Sequence, residues 1–261
     1  MKKSESTGKK SKERKLKLKI MPVAVALAFI VLWQLAVDIF DIEAFILPGP
    51  VNILRSLYKE RELLLSHALV TLGEAFAGFG IAVVAGICFG LLMGFCEPVR
   101  IALYPIFVVS QTIPLIVLAP LFAVWFGFGF LPKVIIIVLV CFFPIAVTFA
   151  QDLLKVDEDM DFMLRVMGAG RWKSFVLARI PKALPGLFSG LKIAATYSIM
   201  GAVISEWVGA KKGLGIFMTR AMTSFRTAAL FADVVLIVVL SLGLYKLIEL
   251  IEKKIINHAD I

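Results

Sequence analysis

The sequence predicts an all-α, polytopic membrane protein with six transmembrane helices, and three observations predict it. Of its 261 residues 60% are hydrophobic and only 18% charged, with a mean hydropathy of +0.94. Apolar runs of about twenty residues recur along the chain, each long enough at about 1.5 Å per residue to cross roughly 30 Å of hydrocarbon. Between two of these runs lies one long charged and amphipathic stretch, 157–185. Such a composition excludes an ordinary soluble globule. At this length the spans fill the chain, leaving one membrane domain, residues 20–256, and no room for a separate catalytic one.

Residues 1–19 form a basic arm, rich in Lys and Arg with only Glu5 and Glu13 against them. It is expected to be unfolded in water and to stay on the cytoplasmic side, where positive residues are retained and anionic lipids attract them. A nucleic-acid arm is the competing reading, but a tail joined directly to a hydrophobic span makes topology the simpler cause. The first span is expected over Ile20–Phe40, with Pro22 in its first turn, and is too long for a cleaved signal. Asp41–Thr71 reads as an external loop carrying Leu47–Pro50 (LPGP) and a surface helix. Further spans are expected over Leu69–Phe95, Ile101–Trp125, Lys133–Gln151, Leu187–Val208 and Leu230–Ile251. Six spans put both termini on one side. Most of the 28 Lys and Arg then fall inside, in the arm, the 152–186 loop and the C-terminal end. The loop between spans five and six, with Lys211, Lys212, Arg220 and Arg226, runs against that bias.

The amphipathic stretch reads as two short helices and an elbow. Met160, Met163, Leu164 and Met167 fall at i, i+3, i+4 and i+7 and so share one helix face. Gly168, Ala169 and Gly170 interrupt the pattern. A second helix starts at Arg171, with Trp172, Phe175, Val176 and Ile180 on one side, until Pro181 and Pro185 stop it. Two such helices can present a knob to a soluble partner, or lie on lipid headgroups.

Small residues recur every fourth position in two spans: Gly78, Ala82, Gly86, Gly90 and Gly94, then Gly186, Gly190, Ala194, Ser198 and Ala202. Such stripes let helix backbones approach closely, and in lipid close van der Waals contact is the main glue between helices. Candidates for a polar route are Gln111, Pro114, Thr196, Tyr197, Ser198 and Glu206, led by Gln111 and Glu206. Glu74, at the outer start of span two, reads as structural. Prolines 105, 114, 120, 132 and 144 are expected to break the third and fourth spans, as a transporter tolerates and an anchor does not. Cys88, Cys96 and Cys141 have no C-x-x-C spacing and read as small hydrophobes.

The 157–185 stretch resembles the signature loop of binding-protein-dependent ABC transporter permeases. Gly168 matches the pattern's glycine and Pro181 its proline, with Ala178 and Ile180 where the family has Ile and Leu. Phe162, Met163 and Leu164 stand in place of Glu-Ala-Ala, so the family's acidic residue is missing and Asp161 is its nearest substitute. Leu47–Pro50, Gln111–Gly129, Phe142–Pro144 and Gly209–Gly215 resemble the same family, specifically its nitrate, sulfonate and taurine branch. The wording of QTIP, SGLKIAATYS and SEW is similar to members assigned to thiamine-pyrimidine precursors or riboflavin.

The resemblance implies a type I ABC importer permease fold in the cytoplasmic membrane of a prokaryote. It implies a second permease copy, an extracytoplasmic solute-binding protein and two ATPase subunits that hold ATP and Mg. It makes residues 152–186 the coupling loop, with Asp157, Asp161, Leu164, Met167, Gly168, Ala169, Gly170, Arg171, Trp172, Phe175 and Pro181 as its contact positions. The chain itself has no G-x-x-x-x-G-K-[ST] loop, no H-E-x-x-H and no cysteine cluster, so no cofactor, metal or nucleic acid is expected on it. A passive channel and a structural subunit of another complex remain as alternative readings.

Overall fold

The structure is a computed structural model describing residues 2–155, 160, 163, 164 and 166–259, with side chains described between Met21 and Ile256 of that set. Among the described residues every regular element is helical. The chain divides into two compact units: one holds the chain up to Arg61 together with Ala221–Ala232, and the other holds Glu62–Arg220 and the chain from Asp233 on.

In the first unit, α1 (Lys2–Ile39) and α2 (Pro50–Lys59) are joined by the LPGP turn. Helix α1 takes in the basic arm, which from its charge alone would be unfolded; Lys and Glu are good helix formers, and extending an existing helix avoids the cost of a nucleus. Pro22, expected in a first turn, therefore lies inside α1; among the described residues the candidate span runs over Met21–Ile39. Gln34 ties the turn down: its Nε2 donates to Asp38 Oδ1 at 2.9 Å, and its Oε1 accepts from the N–H of Val51 at 3.1 Å. Gly49 lies directly against this side chain, since a Cβ there would sit 2.8 Å from Gln34 Oε1. Thr227 Oγ1 donates to the Phe45 carbonyl at 2.6 Å, and Arg226 pairs with Glu60 at 3.2 Å.

The second unit is built around α6 (Phe130–Leu154), which stands between α3 (Arg61–Phe95) and α8 (Ile180–Glu206). Gly78 lies against Ile137, Gly86 against Ile145, Gly90 against Phe149 and Gly94 against Leu153, where an added Cβ would approach to 2.5–2.9 Å. The register advances in the same direction on both helices, so α3 and α6 are parallel neighbours. On an adjoining face Gly186 meets Asp152, Gly190 meets Thr148 and Pro144, and Cys141 Sγ donates to the Ala194 carbonyl at 3.2 Å, which makes α8 antiparallel to α6. Both small-residue stripes therefore pack within one copy of the chain, on adjoining faces of one helix, with Ile145 touching both.

Parallel neighbours need a connection that crosses back, and α4 (Glu97–Ser110) with α5 (Leu115–Phe126) supplies it. These two helices meet at 95°, so the third span is broken, as its prolines lead one to expect. Pro114 causes the break: it has no N–H to continue the ladder and pushes Ile113 out of the helical region. Among the described residues five helices are long and apolar enough to cross a membrane, six if the broken pair is counted as one span. The expected break in the fourth span does not occur. Pro132 sits in the first turn of α6 and Pro144 inside it, where Thr148 Oγ1 donates to the Pro144 carbonyl at 2.6 Å.

Pro181 and Pro185 do not stop the helix after the elbow either. The chain stays helical from α7 (Arg171–Ser174) through a π-turn over Phe175–Arg179 into α8. The wider π-turn has already rerouted the backbone bonds where Pro181 arrives, so its missing N–H and its ring are accommodated. Helices α9 (Leu214–Thr223) and α10 (Thr227–Ala259) complete the chain.

Candidate functional site

Two clusters stand at opposite ends of the α3–α6–α8 core. The first is at the ends of α3 and α6, where the elbow returns. Phe95 forms its centre, with Trp172 edge-on at 5.4 Å and Phe175 at 5.1 Å between ring centroids. The Arg171 guanidinium lies 5.3 Å over the same ring and donates to the Phe95 carbonyl at 3.2 Å. Phe175 is 3% exposed and packs with Phe149, Leu153 and Ala183. Aromatic pairs of this kind are worth about 0.5–1.5 kcal/mol each beyond the area they bury. The seat is therefore stiff.

What sits on the seat faces outward. Met163 is 64% and Met167 74% exposed, and Met160, Val166, Trp172 and Leu177 are exposed as well. The elbow closes as a left-handed helix cap: Gly168 has φ +80°, and the Ala169 N–H donates to the Leu164 carbonyl at 2.9 Å. Nothing lies within 4 Å of where a Gly168 Cβ would be, so the glycine is required by backbone conformation and not by crowding. Gly170 precedes α7 in an extended conformation, and Pro181 lies in the first turn of α8. Asp157 and Asp161 fall outside the described residues.

The second cluster, at the opposite end, holds the loop after α8. Glu206 is fully buried; its Oε1 accepts from Thr71 Oγ1 at 2.7 Å and its Oε2 from the N–H of Gly215 at 2.6 Å. Thr71 Oγ1 in turn accepts from the N–H of Leu214 at 2.9 Å, and His67 Nδ1 lies 2.7 Å from the Gly213 carbonyl and 3.0 Å from its N–H, bonding one or the other according to its tautomer. Lys133 Nζ donates to Glu74 Oε1 at 2.5 Å. Residues 213–215 of the loop are thus tied to one face of α3 and to Glu206. Gly213, with φ +131°, and Gly215 are forced by this approach, since a Cβ on either would come within 2.1 Å of Glu206 or the Val203 carbonyl. Beside the clasp is a cavity of about 300 Å³ lined by residues of the α5–α6 turn and of 208–212.

The sequence-derived pathway residues do not converge on one site. Glu206 is spent on the clasp. Ser198 and Thr196 bond their own helix backbone, at Ala195 and Ile193. Tyr197 is part-buried to exposed on the same helix, at 40%. Gln111 caps α4 and reaches the Leu139 carbonyl at 3.4 Å, while Pro114 starts α5; both sit at the 95° break. His67, Thr71 and Lys133 act as a group that the sequence does not single out. The first two, with Glu74, are spaced at i, i+4 and i+7, a signal that one helix face is polar. Among the described residues no His, Cys, Asp and Glu come together as a metal site.

This helix arrangement is that of ABC importer permeases. It is similar to a chain of the inward-facing MetNI methionine ABC transporter, with a TM-score of 0.64 at 21% identity over 78% of this chain and 99% of that one. It is likewise similar to a chain of an amino acid ABC transporter, with a TM-score of 0.61 at 20% identity over 76% of this chain and 97% of that one. The family described as binding-protein-dependent transport system inner membrane component matches residues 82–257, and the chain belongs to it. It is thus the membrane permease subunit of an ABC importer, with ATP hydrolysis carried by a separate partner. Among curated relatives, the formylaminopyrimidine transport permease protein ThiX of Halalkalibacterium halodurans is 35% identical, over 85% of this chain and 88% of that protein. The riboflavin transport system permease protein RibX of Chloroflexus aurantiacus is 31% identical, over 91% and 89%. The putative aliphatic sulfonates transport permease protein SsuC of Bacillus subtilis is 26% identical, over 95% and 91%.

Proposed function

We propose that two copies of this chain form the translocation path of an importer in a prokaryotic cytoplasmic membrane, with both termini and the 152–186 loop in the cytoplasm. An ATPase subunit docks on residues 157–175 of each copy, ATP and Mg being held there, and a solute-binding protein delivers cargo outside. The observation that carries this is the exposed Met163–Met167 crest on the rigid Phe95–Phe175 seat: a greasy, adaptable surface on a stiff mount transmits a push. When the ATPase pair closes, the seated knob moves as a body with α3, α6 and α8, and the spans alternate between outward and inward access. The cargo is a small solute of the thiamine pyrimidine-precursor, riboflavin or sulfonate and nitrate kind; relatives at 26–35% identity that are described as formylaminopyrimidine, riboflavin and aliphatic sulfonate permeases support the first three of these.

Gly168 provides the test. Any L-residue there bears a left-handed penalty of about 1–2 kcal/mol, least for Asn. In liposomes holding the assembled importer, Gly168→Val is expected to cut uptake per ATP hydrolysed several-fold, and Gly168→Asn to retain most of it. Equal coupling in all three proteins would contradict the proposal. Orientation has its own check. In a background with Cys88, Cys96 and Cys141 replaced by serine, a membrane-impermeant maleimide applied to intact cells should label Lys59→Cys in α2 and leave Lys173→Cys in α7 unlabelled until the cells are opened. The reverse pattern would place the knob outside. A passive channel would conduct without any ATPase, and a structural subunit would couple to none.

A further inference from the structure

The cavity of about 300 Å³ beside the clasp is large enough for a small organic molecule, and its lining is unevenly charged. Lys133, Lys211 and Lys212 line it, and no Asp or Glu does. Lys133 is already paired with Glu74 from behind, so the charge left over belongs to Lys211 and Lys212, both exposed at the mouth. The walls are apolar: Val70, Ala119, Ala123, Phe128, Ile136 and Val208.

The mouth is also held in shape from two sides. Beneath the loop, the bonds from Gly213, Leu214 and Gly215 to His67, Thr71 and Glu206 anchor it. At its start, Gly209 has φ +70° and a Cβ there would lie 2.1 Å from the Phe128 ring, so loop and ring are in close contact. A pre-shaped apolar recess with two lysines at its rim and no carboxylate in its wall suits one kind of guest: an apolar body bearing a single anionic group. The two lysines also account for positive charge in an outer loop that the topology rule would keep low in it.

We propose that this cavity is a binding site for such an anion, the apolar part seated against Phe128 and Val208 and the anionic group at Lys211 and Lys212. The same chemistry is offered by a free solute bearing a sulfonate, carboxylate or phosphate and by an anionic lipid headgroup. If the guest is the free solute, the site favours the anionic members of the cargo range proposed above; this clause alone rests on the importer reading, and binding itself does not.

The assembled complex in zwitterionic phosphatidylcholine nanodiscs separates the cases. Benzenesulfonate is expected to bind saturably there, at least tenfold tighter than neutral benzenesulfonamide, and Lys211→Gln/Lys212→Gln is expected to remove that preference while leaving the clasp and the thermal unfolding unchanged. Raised salt should weaken the binding as well, because the rim charges are exposed. If instead only phosphatidylglycerol is retained, measured by mass spectrometry of the washed complex, and is lost in the double variant, the guest is a lipid headgroup. Equal binding of the neutral probe, an unchanged preference in the double variant, or no retention of any of the three overturns the proposal. ATPase stimulation in the same preparation reports separately on the importer reading, so an intact coupled complex without anion binding would sink this site and leave that reading standing.

Discussion

Gly190→Leu is expected to abolish the assembled membrane subunit. A Cβ at that position would lie 2.3 Å from Thr148 Oγ1, 2.7 Å from the Pro144 carbonyl and 2.8 Å from the Ile145 Cα. Thr148 can rotate away; the α6 backbone cannot. The two helices would have to separate, and in lipid no hydrophobic effect draws them back together. The α6–α8 interface that they would give up is an extensive one, running along most of both helices. Overpacking of a close interface costs typically about 1–3 kcal/mol, and more where backbone is the obstacle. Size-exclusion chromatography in mild detergent should show aggregated or absent protein. Gly80→Leu is the control: on α3, with nothing within 4 Å of its Cβ position, it should behave as wild type.

Glu206→Leu should be nearly as damaging, for a different reason. Its two oxygens accept from Thr71 and from the Gly215 N–H, and Thr71 in turn accepts from Leu214. Removing the carboxylate strands the Gly215 N–H in a fully buried place and leaves the Thr71 hydroxyl only a longer bond to the His67 carbonyl, at 3.3 Å. An unsatisfied buried donor costs about 1–3 kcal/mol, so with the weakened Thr71 bond a loss of about 2–4 kcal/mol is expected. Glu206→Gln keeps one acceptor and offers a donor where a second acceptor is needed, so its loss should be about half. Thermal unfolding in detergent ranks the three. A leucine variant as stable as wild type would show that the clasp does not hold the loop.

The same two positions show how far the sequence can be read. The four-residue spacing of Gly186, Gly190 and Ala194 announces a packed face, because spacing is a property of one helix. Which helix it packs on is not, and α6 receives both stripes. Glu206 stands out for its charge at membrane depth, but its partner Thr71 lies over a hundred residues away in the chain, so only the fold shows the clasp. Prolines are legible only in part. Pro114 breaks its span through 95°, while Pro144 and Pro181 are absorbed, one by a continuous helix and the other by a π-turn whose wider bonding leaves no trace in residue type. Gly168 is legible as an elbow, but the cause is its positive φ and not crowding, which is absent. The seat under the knob is not legible at all, because Phe95 reads as the last residue of an ordinary span.

The central claim is that the crest around Met167 is gripped by an ATPase. Met167→Cys, 74% exposed in the parent residue and far from any packing role, can carry a photoreactive benzophenone maleimide in a background with the three native cysteines replaced. On illumination in inverted membrane vesicles from cells producing the whole importer, the account predicts one dominant adduct, identified by mass spectrometry as an ATP-binding subunit. Adducts to lipid alone, with the ATPase present and uncrosslinked, would contradict it.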